Sequence, residues 1–302
     1  MQGRIIKESA GFYYVIPADA AGTEQKPYLC RARGIFKKKG ERPSVGDIVD
    51  FSLTGTQDVE GSVDAIEERK NLLFRPPVAN VDKVLIVFSG SDPDPNLLLM
   101  DRLLVSMKMK DISAAICINK SDITDDSLLS SLKETYEGAG YSVFITAARE
   151  NEGREVLLSF LRGHLTALLG PSGVGKSSIM NMLTGTEAAQ TGEVSRKTGQ
   201  GKQTTRTSEI YVIKDEKNTF VMDTPGFSAF DVTGISEREL FHYFPEIEKE
   251  AGNCYFSGCV HMEEPLEKCA VKTALSEGLI PESRYLSYRT IFKEIESNRS
   301  YR

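Results

Sequence analysis

The sequence predicts a multidomain α/β protein in three parts: a small N-terminal β-barrel, a central doubly wound sheet with covering helices, and a mostly helical C-terminal part around a metal-ligand cluster. Three observations carry that reading. Short runs of β-branched and aromatic residues crowd residues 1–70. From Val81 onward, apolar strands alternate with helical stretches, as βαβ units do. After Phe230 the alternation stops, and Cys254, Cys259, His261 and Cys269 gather instead. We place the parts at residues 1–70, 71–232 and 233–302.

In the first part, Gly11 to Ile16, Tyr28 to Phe36, Gly46 to Leu53 and Ser62 to Ile66 are strand candidates bounded by Gly, Pro or Asp. Short strands at this spacing suggest a barrel. Pro77 biases its predecessor toward an extended backbone, so Arg75-Pro76-Pro77 reads as a linker. The second part predicts strand Val84 to Phe88, a helix from Asn96 to Lys110, strand Ile112 to Ile118, a helix from Asp126 to Glu137 and strand Ser142 to Thr146. It continues through strand Leu165 to Leu169, a helix from Lys176 to Leu183, and strands Ser208 to Ile213 and Thr219 to Met222. Gly185 to Thr207 is polar and without hydrophobic period, and a loop that long in a compact domain is expected to be functional or mobile. The third part closes with a helix from Glu282 to Asn298.

The 302 residues are 40% hydrophobic and 26% charged, an ordinary globular composition long enough for several cores. The opening stretch lacks a signal-peptide core, and no segment approaches the roughly 18 apolar residues of a membrane span, which predicts a cytoplasmic protein. A net charge of −6 gives no global attraction to nucleic acid, so RNA contact must come from local patches. Five cysteines argue against a fully paired disulfide framework, and Cys30 and Cys117, in apolar strand-like stretches, read as small buried hydrophobes.

Gly170, Pro171, Ser172, Gly173, Val174, Gly175, Lys176 and Ser177 fill the pattern G-x-x-x-x-G-K-[ST] between a predicted strand and a predicted helix, with Ser178 in the same helical turn. Glycines let backbone N–H groups approach phosphate oxygens, and the helix N-terminus adds partial positive charge. Lys176 reaches the β- and γ-phosphates, and the Ser177 hydroxyl suits Mg²⁺. Asp223-Thr-Pro-Gly226 follows a strand, which places Asp223 where a carboxylate holds Mg²⁺ through water and lets Gly226 offer an N–H to the γ-phosphate. Asn119-Lys120-Ser121-Asp122 also ends a strand. The Asp122 carboxylate can accept the N1–H and amine donors of guanine, a pair that adenine lacks, while Asn119 braces the loop and the Lys120 stem covers the base. Thr146 and Ala147 stand where a short loop would close over guanine. In the polar loop, Thr205, with Thr204 beside it, offers a hydroxyl to Mg²⁺.

The base motif thus precedes the phosphate loop, the order of a circularly permuted GTPase domain. Asp122 and the Asp-Thr-Pro-Gly strand end disfavour a P-loop kinase. Cys254, Cys259, His261 and Cys269 offer three thiolates and an imidazole, the ligands of a closed, structural Zn²⁺ site. Arg31, Arg33, Lys37, Lys38, Lys39 and Arg42 around Phe36 suit a surface that meets RNA by charge and stacking. The C-terminal helix offers Arg284, Arg289, Lys293, Arg299 and Arg302.

A strand-rich N-terminus, N-K-x-D ahead of G-P-S-G-V-G-K-S, then G-K-x-T-T, D-T-P-G-F and a Cys/Cys/His/Cys cluster together resemble the RsgA (YjeQ/YloQ) family of circularly permuted bacterial GTPases, over essentially the whole chain. The resemblance implies an N-terminal OB-fold RNA-binding domain, a permuted GTPase domain and a C-terminal zinc domain. It also implies GTP/GDP and Mg²⁺ as ligands, one structural Zn²⁺, and action as a cytoplasmic monomer. Its implied partners are the 30S ribosomal subunit and its 16S rRNA, with 30S-stimulated hydrolysis during late maturation. Gln203 stands where the family often has His. A glutamine can orient an attacking water, so the catalytic candidates are Lys176, Gln203, Thr205 and Gly226. The segment His261-Met-Glu-Glu-Pro-Leu-Glu-Lys-Cys269 is longer than the family's H-x-x-E-P-G-C yet keeps every ligand. The rival expectation is a GTP-dependent switch that controls a non-ribosomal protein or RNA partner.

Overall fold

A computed structural model describes residues 1–20, 22–23, 26–54, 59–73, 77–185, 209–223, 232 and 234–300, with the side chains of 37–39 and 299–300 left aside. Five strands close the barrel: β1 (Gln2–Ser9), β2 (Phe12–Pro17), β3 (Tyr28–Ala32), β4 (Ile48–Leu53) and β5 (Gly61–Ile66), in the order β1-β2-β3-β5-β4. β4 returns to β1 antiparallel, and β3 and β5 pair in parallel. This is the five-stranded architecture that the resemblance implies. β1 is absent from the sequence reading because only Gly3 and Ile5 of its eight residues are buried, an alternation too sparse to stand out beside its charges.

The expected strand Tyr28 to Phe36 stops at Ala32, and α1 (Gly34–Lys39) follows. Phe36 thereby turns into the barrel core with Ile5, Val15, Val49, Phe51 and Val63, and only 5% of it stays exposed. Burying a ring of that size stabilises by about 2 kcal/mol. Phe36 is therefore a core residue and cannot stack on a base, contrary to expectation. Beyond the barrel, β6 (Leu72–Leu73) pairs with β7 (Val78–Ala79). The Arg75-Pro76 part of the expected linker lies outside the described residues.

The central sheet comprises β8 (Lys83–Ser89), β9 (Ser113–Asn119), β10 (Val143–Thr146), β11 (Leu165–Leu169), β12 (Ile210–Val212) and β13 (Phe220–Asp223), ordered β10-β9-β8-β11-β13-β12. β10 lies parallel to β9 and β11 to β13, while β12 is an antiparallel edge. β8 and β11 are near-continuous apolar runs and are buried almost throughout, as strands covered on two faces must be. The helices are α2 (Leu97–Met109), α3 (Asp126–Gly138), α4 (Arg154–Leu161) and α5 (Lys176–Thr184). Asn96 and Asp125 cap α2 and α3 by accepting from the Leu99 and Ser127 amides. α4 went unforeseen: it has eight residues, starts behind a left-handed Gly153, and carries no side-chain cap.

The chain gathers into two compact units: Met1–Leu85 with Ala148–Leu169 and Gly175–Gly226, and Ile86–Ala147 with Gly170–Val174 and Phe227–Arg302. In the second unit, a 3₁₀ turn (Leu240–Tyr243), α6 (Pro245–Ala251), α7 (Ala270–Ser276) and α8 (Glu282–Ser300) share a core with Val105 of α2. Tyr285, Tyr288 and Phe292 of α8 face this core. So does Arg284, which is fully buried. Its guanidinium donates to Glu246 at 2.6 Å and to Asp101 of α2, and Asp101 also accepts from the Tyr136 hydroxyl at 2.9 Å. Burial works against the Arg284 charge, but Asp101 and Glu246 outweigh it and hold the guanidinium above its ordinary pKa. Arg284 thus fastens α8 to α2 and is no surface contact for RNA.

Candidate functional site

The phosphate loop connects β11 to α5. Gly170 has a φ of 147°, and a Cβ there would lie 2.0 Å from the Val87 carbonyl oxygen, so only glycine lets the chain leave the sheet at that point. Gly175, at φ 97°, turns the backbone into α5 and leaves the first helical N–H groups facing the loop. Pro171 is half-buried and Ser172 and Gly173 are exposed on the outer side, while Val174 is buried beneath them. Lys176, Ser177 and Ser178 occupy the first turn of α5. Burial lowers the Lys176 ammonium pKa, and the Asp223 carboxylate opposes that by favouring the cation. Asp223 ends β13 in register with Leu168 of β11, one residue before β11 itself ends.

The base motif is held from below. Asn119 is buried, and its Nδ2 donates to the Val174 carbonyl at 2.9 Å, tying the end of β9 to the phosphate loop. Thr146, at the end of β10, donates its hydroxyl to Asn119 Oδ1 at 3.0 Å and lies 3.3 Å from Cys117 Sγ. Thr146 thus steadies Asn119, and the next residue, Ala147, is buried. Burial pushes the Cys117 thiol up to about 12, so it stays neutral, as a small hydrophobe should. Lys120 adopts left-handed angles (φ 63°, ψ 40°), and its ammonium donates to the Asp92 carbonyl. The Thr124 hydroxyl donates to the Lys120 carbonyl at 2.7 Å and closes the turn that presents Asp122 to solvent. A base arriving there would desolvate the Asp122 carboxylate while supplying its donors. Gln203, Thr204, Thr205 and Gly226 lie outside the described residues.

Cys254, Cys259, His261 and Cys269 come together with all four ligand atoms within 4.8 Å of one another. His261 Nδ1 lies 3.6, 3.2 and 3.6 Å from the Sγ atoms of Cys254, Cys259 and Cys269, and Cys259 Sγ lies 3.7 Å from Cys269 Sγ. A tetrahedral ion with bonds of about 2.3 Å to sulfur sets its ligands roughly 3.8 Å apart, so the donor set fits Zn²⁺. Neighbouring groups shape the loop. Glu264 accepts from the Val260 and Met262 amides at 2.7 Å each, and the Tyr285 and Tyr288 hydroxyls donate to the His261 and Val260 carbonyls at 2.6 and 2.8 Å. Sequence reasoning missed Thr146 as a brace, Glu264 and the two tyrosines as loop supports, and the Arg284 network. That Tyr285, Tyr288 and Phe292 pack inward agrees with what the sequence leads one to expect of the aromatics in that helix.

Residues 66–233 match the RsgA GTPase family, and residues 2–61 match the RsgA N-terminal domain. The chain belongs to the RsgA GTPase family. It is 42% identical to a small ribosomal subunit biogenesis GTPase RsgA of Agathobacter rectalis, with 100% of each chain covered. To the protein of the same name in Alkaliphilus metalliredigens it is also 42% identical, with 99% of each covered. Among solved structures it resembles YloQ, described as a circularly permuted GTPase, at 34% identity and a TM-score of 0.76, with 98% of this chain and 95% of that one covered. YjeQ from Thermotoga maritima follows at 32% identity and a TM-score of 0.77, covering 97% and 98%. The chain is thus a GTP hydrolase on a permuted fold, and family membership implies guanine nucleotide and Mg²⁺. Among the described residues no helix is long and apolar enough to cross a membrane.

Proposed function

We propose that this RsgA-family chain is a ribosome-stimulated GTPase that acts in late maturation of the small ribosomal subunit, binding it in the GTP form and leaving after hydrolysis. The observation that carries the reading is similarity over 99–100% of the chain, at 41–42% identity, to relatives named for small ribosomal subunit biogenesis. The chain works as a cytoplasmic monomer in three domains, residues 1–70, 71–232 and 233–302, and meets 16S rRNA in the particle. On the barrel, exposed Arg31 lies over the Phe12 ring at 4.6 Å, a cation and aromatic pairing suited to RNA now that Phe36 is excluded.

In the nucleotide site, Asp122 accepts the guanine donors, the Lys120 stem covers the base, Asn119, steadied by Thr146, fixes the loop, and Ala147 belongs to the short loop beside the base. Backbone N–H groups from Gly170 to Ser178 surround the phosphates, and Lys176 places its charge at the β,γ-bridge. Ser177 and Thr205 would hold Mg²⁺ directly and Asp223 through water, and the ion would supply positive charge to offset that of the phosphate oxygens. Gln203 orients the attacking water and Gly226 reports the γ-phosphate through its N–H, so catalysis is positioning and electrostatics. Cys254, Cys259, His261 and Cys269 would hold a structural Zn²⁺, four protein ligands filling a tetrahedral site.

The deciding experiment is GTP and ATP turnover by the purified protein with and without 30S subunits. Stimulation of GTP turnover alone, by at least about tenfold, is the expected result. Slow GTP turnover indifferent to 30S subunits would overturn the ribosomal reading and leave a GTP switch with another partner.

A further inference from the structure

Residues 234–300 contain twelve glutamates against eight lysines and arginines, so the C-terminal part is acidic, whereas residues 1–70 hold eleven of each sign. The same part exposes Tyr255, Phe256, Leu266, Leu279 and Leu286, large apolar side chains that neither the nucleotide reaction nor the metal cluster uses. Acid and apolar surface meet in one cleft of about 450 Å³, lined by Tyr255, Leu279, Glu250, Glu267, Glu277 and Lys268 among others. Tyr255 and Leu279 are 74% and 68% exposed. Three glutamates against one lysine leave the cleft two net negative charges, and none of the three forms an ion pair among the described residues. Lys268 lies over the Tyr255 and Phe256 rings, 5.3 and 5.5 Å from their centres.

We propose that this cleft docks a lysine- or arginine-rich segment of a protein partner. An aliphatic side chain of that segment would seat against Tyr255 and Leu279, and its cations would face Glu250, Glu267 and Glu277. Charge decides against RNA as the occupant, because a phosphate backbone would meet a net negative wall with a single lysine to receive it. Apolar side chains exposed to this degree beside carboxylates suit a basic peptide, whose methylene stems cover rings while their cationic ends reach acids. The platform is also held in place. Tyr255 and Lys268 adjoin the metal ligands Cys254 and Cys269, and the Tyr255 amide donates to the Lys268 carbonyl at 3.0 Å.

The identity of the partner as a small-subunit protein rests on the function proposed above; the chemistry of the cleft does not. Two measurements on the full chain separate them. In the first, E267K/E277K is compared with the native protein for 30S affinity by sedimentation, with GTP turnover in the absence of 30S as the control. The expected result is about tenfold weaker binding at unchanged basal turnover, since reversing charge against a basic segment replaces attraction by repulsion. Unchanged 30S binding by the variant would overturn a small-subunit protein as the partner, and tighter binding, the signature of RNA at this surface, would overturn the docking site itself. In the second, fluorescence anisotropy follows a labelled peptide of alternating lysine and leucine, with a glutamate-for-lysine version as control. Salt-sensitive binding of the basic peptide, lost in both E267K/E277K and Tyr255→Ala, is expected. Equal binding of the two peptides, or no binding, would overturn the docking site. Should the native protein fail to sediment with 30S, the ribosomal reading falls and the peptide measurement still decides the cleft.

Discussion

Lys176 and Thr146 are proposed to serve nucleotide binding in different ways. In the proposed nucleotide site Lys176, half-buried at the start of α5, would place a cation among phosphate oxygens. Lys176→Ala is expected to lower GTP turnover by at least about a thousandfold, measured by phosphate release with and without 30S subunits. Thr146 reaches no phosphate; its hydroxyl holds Asn119, which in turn holds the Val174 carbonyl. Removing a buried hydrogen-bond partner while keeping the shape costs about 1–3 kcal/mol. Thr146→Val is therefore expected to weaken GTP binding about tenfold or more with little change in the maximal rate, a split that steady-state kinetics would reveal. A fall in the rate at unchanged affinity would mean that Thr146 serves the chemistry instead.

At the level of elements, two devices shape the C-terminal part. The first is the Arg284 network between α8, α6 and α2. Arg284 is fully buried, as is Asp101, with Glu246 7% exposed, so truncating the arginine strands two carboxylates in a dry core. Such a loss costs about 3–5 kcal/mol, and Arg284→Ala is expected to lower the thermal midpoint clearly in calorimetry. A triple change to Met at Arg284 with Leu at Asp101 and Glu246 should recover much of that loss, since it leaves no unpaired charge. The second device is the Cys/His cluster. Because α8 is also held by its own apolar core, chelation is expected to loosen residues 254–269, as faster hydrogen exchange there, while α8 keeps its protection. Collapse of protection throughout α8 on chelation would show that the metal, and not the core, holds the helix.

For the whole molecule, the packing of α8 and α6 on α2 limits how hydrolysis can act at a distance. If loss of the γ-phosphate relaxes residues 223–230 and reorients residues 236–302, the movement must include α2, which the Arg284 network fastens to them. Hydrogen exchange in GDP and in a non-hydrolysable GTP analogue is expected to differ in both segments together; identical exchange in the two states would rule the coupling out. Most of the central strands were legible because buried apolar runs and their punctuation are local properties, and the phosphate loop because its glycines, lysine and serine stand in consecutive positions. The inward turn of Phe36 was not legible, since a short basic stretch reads as surface until a closed barrel exists to receive the ring. Nor was the closing strand β1, whose inward residues number only two. The amino-acid sequence by itself determined the permuted order of the motifs and the ligand set of the metal cluster, both of which depend on residue type and spacing along the chain. Only the tertiary structure decided that Thr146 braces Asn119, that Arg284 is a buried fastener and not a surface cation, and that three glutamates share a cleft with Tyr255 and Leu279. Each of those is a contact between positions distant in sequence, and burial, the quantity that sets the energy of a charge or a ring, exists only after the chain has folded.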